Sequence, residues 1–403
     1  MNWIKGGICA SDGFRASGIA SGIKKNGALD MAMILSDIPC KAAAVFTSNK
    51  VKAAPVQYCI NKLKENKYAQ GIICNSGNAN ACTPDGYEIA ERSASIASEY
   101  SGINAKFLTA STGVIGEPLN IEYFNEAIPK LSLLLSKSGN EDAAKAIMTT
   151  DTVKKEFAVE FKIGGVKCHI GAMAKGSGMI HINMATMLAF FTTDVDISAN
   201  LLDKAFKEII IKTFNQVSVD GDTSTNDTAI ILTNGMAHNA QINAIDDAYR
   251  TFYDALASLA AKIAKSLAKD GEGATKLIEC RTIKFPTDKT ARNVAKSVVN
   301  SNLVKAAIFG EDANWGRIIC AVGYSPDDFP VDNIDINLKS EYGLIEVCKH
   351  SGAVGFDEEK AVEVLSAPEI IIEINANCGV GEGIAWGCDL TYDYVKINGE
   401  YRS

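Results

Sequence analysis

The sequence has little of what metal sites, membrane spans and flexible linkers require. Its 403 residues include only nine prolines, none of them clustered, so no proline-rich linker is indicated. The four histidines share no H-x-x-x-H spacing and the cysteines form no C-x-x-C pair, so we expect no metal site. No apolar run approaches the roughly 18 residues that a membrane-spanning helix needs.

Positive charge is not in excess either. Lysine and arginine number 40 against 48 acidic residues, a net charge of −8, so neither nucleic acid nor an anionic membrane is expected as a partner. Residues 1–7 lack the patterns of a secretion signal or a transit peptide. The eleven cysteines, an odd number, are scattered among apolar neighbours, as reduced and buried thiols are. We therefore expect a cytoplasmic protein.

Three common catalytic motifs are missing from the sequence. It contains no G-x-x-x-x-G-K-[ST] phosphate loop and no G-x-S-x-G serine-hydrolase elbow. Residues 379–383 are rich in glycine but lack G-x-G-x-x-G spacing, so we interpret them as a loop that approaches another backbone closely. A Ser-His-Asp or Cys-His site stays open because such partners meet only in space. We interpret His169 and His350, in strand-like runs, as ordinary residues.

The composition predicts a folded α/β protein. Apolar residues make up 47% and charged residues 22% of the chain, and the length corresponds to about two to three domains. Short apolar runs alternate with amphipathic stretches, as in mixed α/β folds. Helices are predicted over residues 87–100 and 251–269. Strands are predicted over residues 42–47, 71–74, 156–163, 166–173, 186–192, 229–232, 282–285, 344–347 and 369–374.

Glycine and small polar residues concentrate in four segments, residues 75–80, 111–113, 175–178 and 220–227. Such residues dominate ordinary turns, so each segment alone indicates a turn. Several of them in one chain favour a ligand site built at strand ends, because backbone N–H groups and hydroxyls approach a ligand most easily there.

Residues 174–188, A-K-G-S-G-M-I-H-I-N-M-A-T-M-L, combine a cationic glycine-rich loop with the start of a buried-looking strand. A threonine at such a junction can attack the preceding carbonyl in an N→O acyl shift, and hydrolysis then leaves a new N-terminal threonine. Its α-amino group, with a pKa of about 7.7–8.0, is a base for its own hydroxyl. Ala-Thr at the start of a strand is common, so the pattern alone favours an ordinary junction.

This segment resembles the cleavage motif K-G-x-G-M-I-x-P-N-M-A-T-M-L of the ornithine acetyltransferase family, the bifunctional glutamate N-acetyltransferases of arginine biosynthesis. The resemblance extends along nearly the whole chain. Eight further blocks match the family and occur in the family's order. They are residues 18–24, 45–56, 75–82, 111–116, 149–152, 218–227, 314–318 and 385–392.

The resemblance implies a set of catalytic residues. Thr186 would be the nucleophile, exposed by cleavage between Ala185 and Thr186, and it would also contact substrate. Thr112 and Gly113 would form the oxyanion hole with one hydroxyl and one backbone N–H. Lys175, eleven residues before the nucleophile, would contact the substrate or the developing charge.

The resemblance also implies substrate-binding residues. Glu272 would bind the α-amino end of the substrate. Asn398 and Ser403 would bind the substrate from the C-terminal region, and serine at 403 keeps the hydroxyl of the family's more usual threonine. Thr150 matches a substrate-binding threonine, although Thr149 beside it is an equal candidate.

The implied reaction is a ping-pong acyl transfer. The acetyl group of N2-acetyl-L-ornithine would pass to Thr186 and then to L-glutamate, with no cofactor, and acetyl-CoA would be the donor in members that also synthesise N-acetylglutamate. Two alternatives stay open. One is an aminopeptidase or amidase of the N-terminal nucleophile class, with water as the acceptor. The other is an uncleaved binding or structural protein.

The implied fold is an α/β sandwich of the αββα type, with two β-sheets between helical layers. Domains would span residues 1–280, with the active site, and 281–403, a smaller α/β domain. Cleavage would give chains 1–185 and 186–403, which stay associated and form a heterotetramer of two copies of each.

One residue departs from the family's pattern. Ile182 stands where the family usually has proline, whose ring fixes φ near −65° and favours extended geometry before it. Isoleucine is β-branched and also favours extended backbone. We therefore expect cleavage to persist.

Overall fold

The computed structural model describes residues 1–103, 105–181 and 187–400. In these residues the chain forms the following strands: β1 (Asn2–Ile4), β2 (Phe14–Ile19), β3 (Met31–Phe46), β4 (Tyr68–Asn78), β5 (Phe107–Val114), β6 (Lys155–Ile163), β7 (Val166–Lys175), β8 (Ile180–His181), β9 (Leu188–Thr193), β10 (Val217–Thr223), β11 (Thr228–Thr233), β12 (Leu277–Phe285), β13 (Asp335–Ser340), β14 (Gly343–Lys349), β15 (Gly352–Ala353), β16 (Glu369–Asn375) and β17 (Gly381–Cys388).

Helices alternate with these strands. They are α1 (Ala54–Glu65), α2 (Gly86–Tyr100), α3 (Glu122–Leu134), α4 (Asn140–Ala146), α5 (Ala199–Lys212), α6 (Asp247–Lys269), α7 (Asp288–Asn300), α8 (Asn302–Phe309), α9 (Trp315–Gly323), α10 (Glu358–Leu365) and α11 (Tyr392–Gly399). None of the helices in the described ranges is both long enough and apolar enough to cross a membrane. All eleven cysteines are free thiols, and eight of them are buried.

The described chain divides into two compact units. The first takes in residues 1–176, 187–211 and 223–263, and it contains a sheet with the strand order β1-β6-β7-β9-β11-β3-β4-β5, in which β2 also pairs with β3. The pairs β9–β11 and β4–β5 are parallel, and the other pairs are antiparallel. Because β9 and β11 are buried along their whole length, they read as near-continuous apolar runs.

The second unit takes in residues 177–181, 212–222 and 264–400. Its sheet has the strand order β15-β14-β13-β16-β12-β17-β10-β8. Buried side chains of α7, among them Val294 and Val298, share a core with residues of β12 and β16 such as Ile278 and Ile372. The predicted α/β class with two sheets is confirmed.

Of the glycine-rich residues 379–383, Gly379 lies in the loop before β17, whereas Gly381 and Gly383 belong to that strand. A Cβ added at Gly381, in β17, would lie 2.2 Å from the carbonyl carbon of Thr287, and one added at Gly383 would lie 2.5 Å from the nitrogen of Arg292. The close approach to another backbone that the sequence predicts is therefore present, with the start of α7 as its partner.

The predicted domain division at residues 280 and 281 stays a prediction. Strand β12 runs through that point, and the second unit also includes 177–181 and 212–222, which the sequence analysis places in the first domain. The compact units are defined by contacts between residues. A domain that spans residues 1–280 would in addition fold on its own.

Candidate active site

Two parallel strands of the first unit end in the polar segments that the sequence analysis singled out. Thr112 pairs with Ser76 and Gly113 with Gly77 in the register of β4 and β5. The carboxyl ends of parallel strands lie at the same edge of a sheet, where ligand sites of open α/β sheets form. Thr112 is buried, so its hydroxyl is withdrawn from bulk water.

Gly113 has a backbone that only glycine adopts readily. Its φ is +134°, and an added Cβ would lie 2.3 Å from the carbonyl carbon of Gly77 and 2.5 Å from the nitrogen of Asn78. Both the dihedral angle and the close approach therefore require glycine at this point of β5.

Lys175, the last residue of β7, is buried beside the threonine. Its Nζ donates to Thr112 Oγ1 at 3.2 Å, although the two residues are 63 positions apart in the sequence. Burial lowers the pKa of Lys175, and Lys155 lowers it further, while Asp151 and Asp227 act in the opposite direction. The sequence analysis predicted Lys175 and Thr112 for one site, and the structure brings their side chains together.

Asp151 is the counter-charge of the buried lysines. Its Oδ1 accepts hydrogen bonds from Lys155 Nζ at 2.6 Å and from the N–H of Gly176 at 2.7 Å. Burial, the largest influence, acts to raise the pKa of Asp151, but the charges of Lys175 and Lys155 together with these hydrogen bonds lower it overall. The sequence analysis missed Asp151 and Lys155, although Asp151 lies in the conspicuous segment 149–152.

The two threonines that the family resemblance offers for substrate binding are neighbours in the segment before β6. Thr149 and Thr150 are both half-buried before β6, and the N–H of Thr149 donates to Asp151 Oδ2 at 3.1 Å. The segment that carries them thus reaches the lysine cluster through Asp151.

A second buried acid, Asp227, contacts the backbone of Met187. Asp227 Oδ1 accepts from the N–H of Met187, the residue after Thr186, at 3.0 Å. Burial raises the pKa of Asp227 well above its usual range, against the opposing influence of the Met187 N–H, the Thr47 hydroxyl and Lys175. Asp227 lies in segment 218–227, which matches the family, but the resemblance assigns it no role.

In the second unit the structure brings Glu272 and Asn398 together. Asn398 Nδ2 donates to Glu272 Oε2 at 2.8 Å, and the N–H of Glu272 donates to the carbonyl of Ser177 at 2.9 Å. A Cβ at Gly178 would lie 2.3 Å from the Glu272 carboxyl carbon, so the glycine makes room for that carboxylate.

Another acid of this unit was missed by the sequence analysis. Asp220 accepts from the N–H groups of Met179 and Ile180, at 2.5 and 2.8 Å, and thereby fixes the segment after Gly178. Burial raises the pKa of Asp220. Burial also raises the pKa of Tyr394, and the charges of Asp220 and Glu272 raise it further.

Three of the predicted site residues, Ala185, Thr186 and Ser403, lie outside the described residues, as does Ile182.

A possible metal-ligand group within the described ranges consists of Asp12, His169 and Asp194. His169 Nδ1 lies 2.6 Å from Asp194 Oδ2, which is a hydrogen-bond distance, so the two side chains satisfy each other.

Comparison with known proteins decides the family. The model of the ArgJ family matches residues 15–403. This chain belongs to the ArgJ family. The family resemblance drawn from the sequence motifs is thereby confirmed.

Relatives within the ArgJ family match over nearly their whole length. The arginine biosynthesis bifunctional protein ArgJ of Caldanaerobacter subterraneus subsp. tengcongensis is 50% identical over 405 residues, covering 100% of both chains. ArgJ 1 of Clostridium acetobutylicum is 50% identical over 393 residues, covering 97% of this chain and 96% of its own. A solved structure of the Bacillus halodurans ArgJ protein is 46% identical with a TM-score of 0.51, and it covers 53% of this chain and 99% of its own.

Proposed function

We propose that this chain is a glutamate N-acetyltransferase of arginine biosynthesis, which transfers acetyl from N2-acetyl-L-ornithine to L-glutamate. The observation that carries the proposal is the buried contact between Lys175 Nζ and Thr112 Oγ1, in a chain that the ArgJ family matches over residues 15–403. A buried cation next to a hydroxyl at the carboxyl end of a strand is suited to stabilise the negative charge of a tetrahedral acyl-transfer intermediate.

The chain matures by its own cleavage between Ala185 and Thr186 in this proposal. The Thr186 hydroxyl attacks the Ala185 carbonyl, and water hydrolyses the ester to give chains 1–185 and 186–403. The length of the solved Bacillus halodurans chain supports this, since that chain is covered at 99% and corresponds to 53% of the present one. About half the length is what one of the two cleavage products would have.

Acetyl transfer then proceeds in two half-reactions. Thr186 Oγ attacks the acetamide carbonyl of N2-acetylornithine while the Thr186 amine takes the hydroxyl proton. Thr112 and Gly113 donate hydrogen bonds to the tetrahedral oxygen, ornithine leaves with the proton, and an acetyl-threonine ester remains. The amine of glutamate attacks that ester, which releases N-acetylglutamate and restores the free threonine.

Substrate binding in this proposal uses the residues that the family resemblance assigns to it. Glu272, held by Asn398, binds the α-amino end of the substrate, because its buried carboxylate can accept a hydrogen bond from the acetamide N–H of the donor and from the amine of glutamate. Lys175 and Thr150 also contact the substrate. Ser403 contributes its hydroxyl. The same pocket serves donor and acceptor in turn, since both carry an amino-acid α-carboxylate.

The assembly follows from the same family resemblance. We propose a cytoplasmic heterotetramer with two copies of each cleavage product. Acetyl-CoA would be the acetyl donor if the chain also works as an N-acetylglutamate synthase.

The test starts with purified protein on a denaturing gel, with the intact mass of each band. We expect two fragments, with the second starting at Thr186, and formation of N-acetylglutamate from N2-acetylornithine and glutamate. Thr186→Ala should stay uncleaved and inactive, whereas Thr186→Ser should keep part of both activities. Rapid acetate release without glutamate would support the amidase alternative, and one uncleaved wild-type chain would contradict the proposal.

A further inference from the structure

The segment before β11 carries two buried polar side chains, Asn226 and Asp227, whose hydrogen bonds reach different segments of the chain. Asn226 Nδ2 donates to the carbonyl of Ser111 at 2.8 Å and to the carbonyl of Ala79 at 2.6 Å, so both of its amide hydrogens are used. Ser111 directly precedes Thr112. Asn226 therefore holds the backbone of β5 at the residue before the proposed oxyanion hydroxyl.

The next residue holds the other side of the site. Asp227 Oδ1 accepts from the N–H of Met187, and the N–H of Thr228 donates to the carbonyl of Met187 at 3.1 Å. Both polar backbone groups of Met187 are thus bound by two consecutive residues. Met187 is joined by a peptide bond to Thr186, the proposed nucleophile.

The sheet itself does not join these two strands directly. In the strand order β9-β11-β3-β4-β5, three strands separate the strand that follows Thr186 from the strand that carries Thr112. Small changes in twist accumulate across such a path, whereas Asn226 and Asp227 are neighbours in the chain and link both strands within two residues. The segment is itself fixed, because Thr47 Oγ1 donates to the carbonyl of Ser224 and the Thr47 N–H donates to the carbonyl of Asp227.

We propose that Asn226 and Asp227 act together as a positioning bracket that sets the nucleophile Thr186 at its working distance from the oxyanion hole. The bracket rests on the proposed function, which assigns Thr186 and Thr112 their roles. Neither residue needs to touch the substrate. A misplacement of about 1 Å between reacting groups costs on the order of 100-fold in rate, so the effect should fall on kcat.

Asp227 serves in the bracket as the hydrogen-bond acceptor of the Met187 N–H. Burial raises the pKa of its carboxyl, which disfavours a negative charge on a group bonded to the residue after the new N-terminal amine. An ionised carboxylate there would favour the protonated amine, which is not a base. Asparagine keeps the acceptor and the neutral charge, and is therefore the conservative substitution.

The experiment compares kcat and KM of Asn226→Ala, Asp227→Ala, Asp227→Asn and the double alanine variant. We expect each alanine variant to lower kcat by about 30-fold or more with KM within about threefold. The double variant should lose less than the product of the single losses, because the two residues act as one unit. Asp227→Asn should lose less than about fivefold in kcat. Where a variant stays uncleaved, its cleavage rate is the readout, since the same hydroxyl attacks in both reactions.

Asn239→Ala is the matched control. Asn239 is also buried in the first unit, and its Nδ2 also donates to two backbone carbonyls, those of Asp196 and Ala240. It should lose stability like Asn226→Ala but keep the wild-type kcat.

Two results would overturn the bracket while leaving the proposed function intact. In an active wild type, alanine variants with wild-type kcat would show that the contacts are structural only. An Asp227→Asn variant as slow as Asp227→Ala would show that the carboxyl must ionise or transfer a proton. A wild type without acetyl transfer to glutamate would instead overturn the proposed function, and the bracket with it.

Discussion

At the residue scale, the site is a cluster of buried charges that compensate one another. Lys175 and Lys155 lie with Asp151 inside the first unit. Burial lowers the pKa of Lys24 as it does that of Lys175. Lys24 is also close enough for the charge of Lys175 to lower its pKa, and its Nζ donates to the carbonyls of Leu29 and Met148. Removing one partner of such a cluster leaves an uncompensated charge, so its members are strongly coupled.

Glycine at position 113 is required on two grounds, and Gly113→Ala should show both. The added methyl group would collide with backbone atoms of Gly77, which cannot rotate away as a side chain can. The φ of Gly113, +134°, is also unfavourable for alanine. We expect a loss of about 3 kcal/mol in the free energy of unfolding and a fall of about 100-fold or more in kcat from displacement of an oxyanion donor. Urea unfolding and acetyl-transfer assays measure the two effects.

Gly116→Ala is the matched control for this substitution. Gly116 also has positive φ, +83°, but no atom lies within 4 Å of an added Cβ. It should cost about 1–2 kcal/mol of stability with kcat nearly unchanged. Equal losses of kcat in both variants would contradict the role of Gly113.

The raised pKa of Asp227 should also affect stability. At a pH between the unfolded value, about 3.9, and the higher folded value, the unfolded chain ionises while the folded chain stays protonated. The free energy of unfolding therefore falls as pH rises through this window, by up to about 1.4 kcal/mol per pH unit. Asp227→Asn removes this contribution.

Urea unfolding of wild type and Asp227→Asn at about pH 4, 5.5 and 7 tests this linkage. The variant should gain stability relative to wild type as pH rises. Asp254→Asn, at an exposed position on α6, is the control and should follow the wild type. Parallel curves for wild type and Asp227→Asn would refute the expectation.

At the scale of elements, the sequence predicts buried strands and amphipathic helices best. The predicted helix 251–269 is α6, which begins four residues earlier at Asp247, and the predicted helix 87–100 is α2, which begins at Gly86. The apolar runs at 156–163 and 229–232 lie within β6 and β11. These elements have strong periodicity or continuous apolar character, which local patterns record.

Such patterns do not predict the polar ends of strands. Segments 75–78 and 111–113, which read as turns, are the last residues of β4 and β5, and 220–223 ends β10. Hydrogen bonds from neighbouring strands override the turn preference of glycine and asparagine there. Local sequence patterns also do not predict the contacts of the site. The contact between Lys175 and Thr112 depends on where β7 and β5 lie in the sheet, which local patterns do not record.

The close packing of β17 on the start of α7 gives a prediction for this scale. Gly381→Ala would place a methyl group 2.2 Å from the carbonyl carbon of Thr287, so the backbone of one of the two elements would have to shift. We expect a loss of about 3 kcal/mol in the free energy of unfolding, measured in urea. Gly323→Ala, at the end of α9 with open space around it, should be neutral or stabilising by up to about 1 kcal/mol. Similar effects of both substitutions would be evidence against tight packing.

At the scale of the whole molecule, the proposed cleavage divides one sheet between two chains. The N-terminal product would supply β1 to β7 of the first sheet, and the C-terminal product β9 and β11. These two strands lie in the middle of the sheet order, with β7 on one side and β3 on the other. Their residues are buried throughout. Separation of the products would break two antiparallel ladders and expose apolar surface, so both fragments should stay together after cleavage.

We therefore expect the fragments to co-elute in equal amounts on a native column and to separate only in denaturant. Unfolding of the cleaved protein releases two chains where the uncleaved protein releases one, so its urea midpoint should rise more steeply with protein concentration. Thr186→Ala, which should keep the same sheet with the peptide bond intact, is the matched control, and any assembly of whole protomers affects both proteins alike. Fragments that separate without denaturant, or equal concentration dependence in a fully cleaved wild type and the variant, would mean that the central strands do not hold the two chains together.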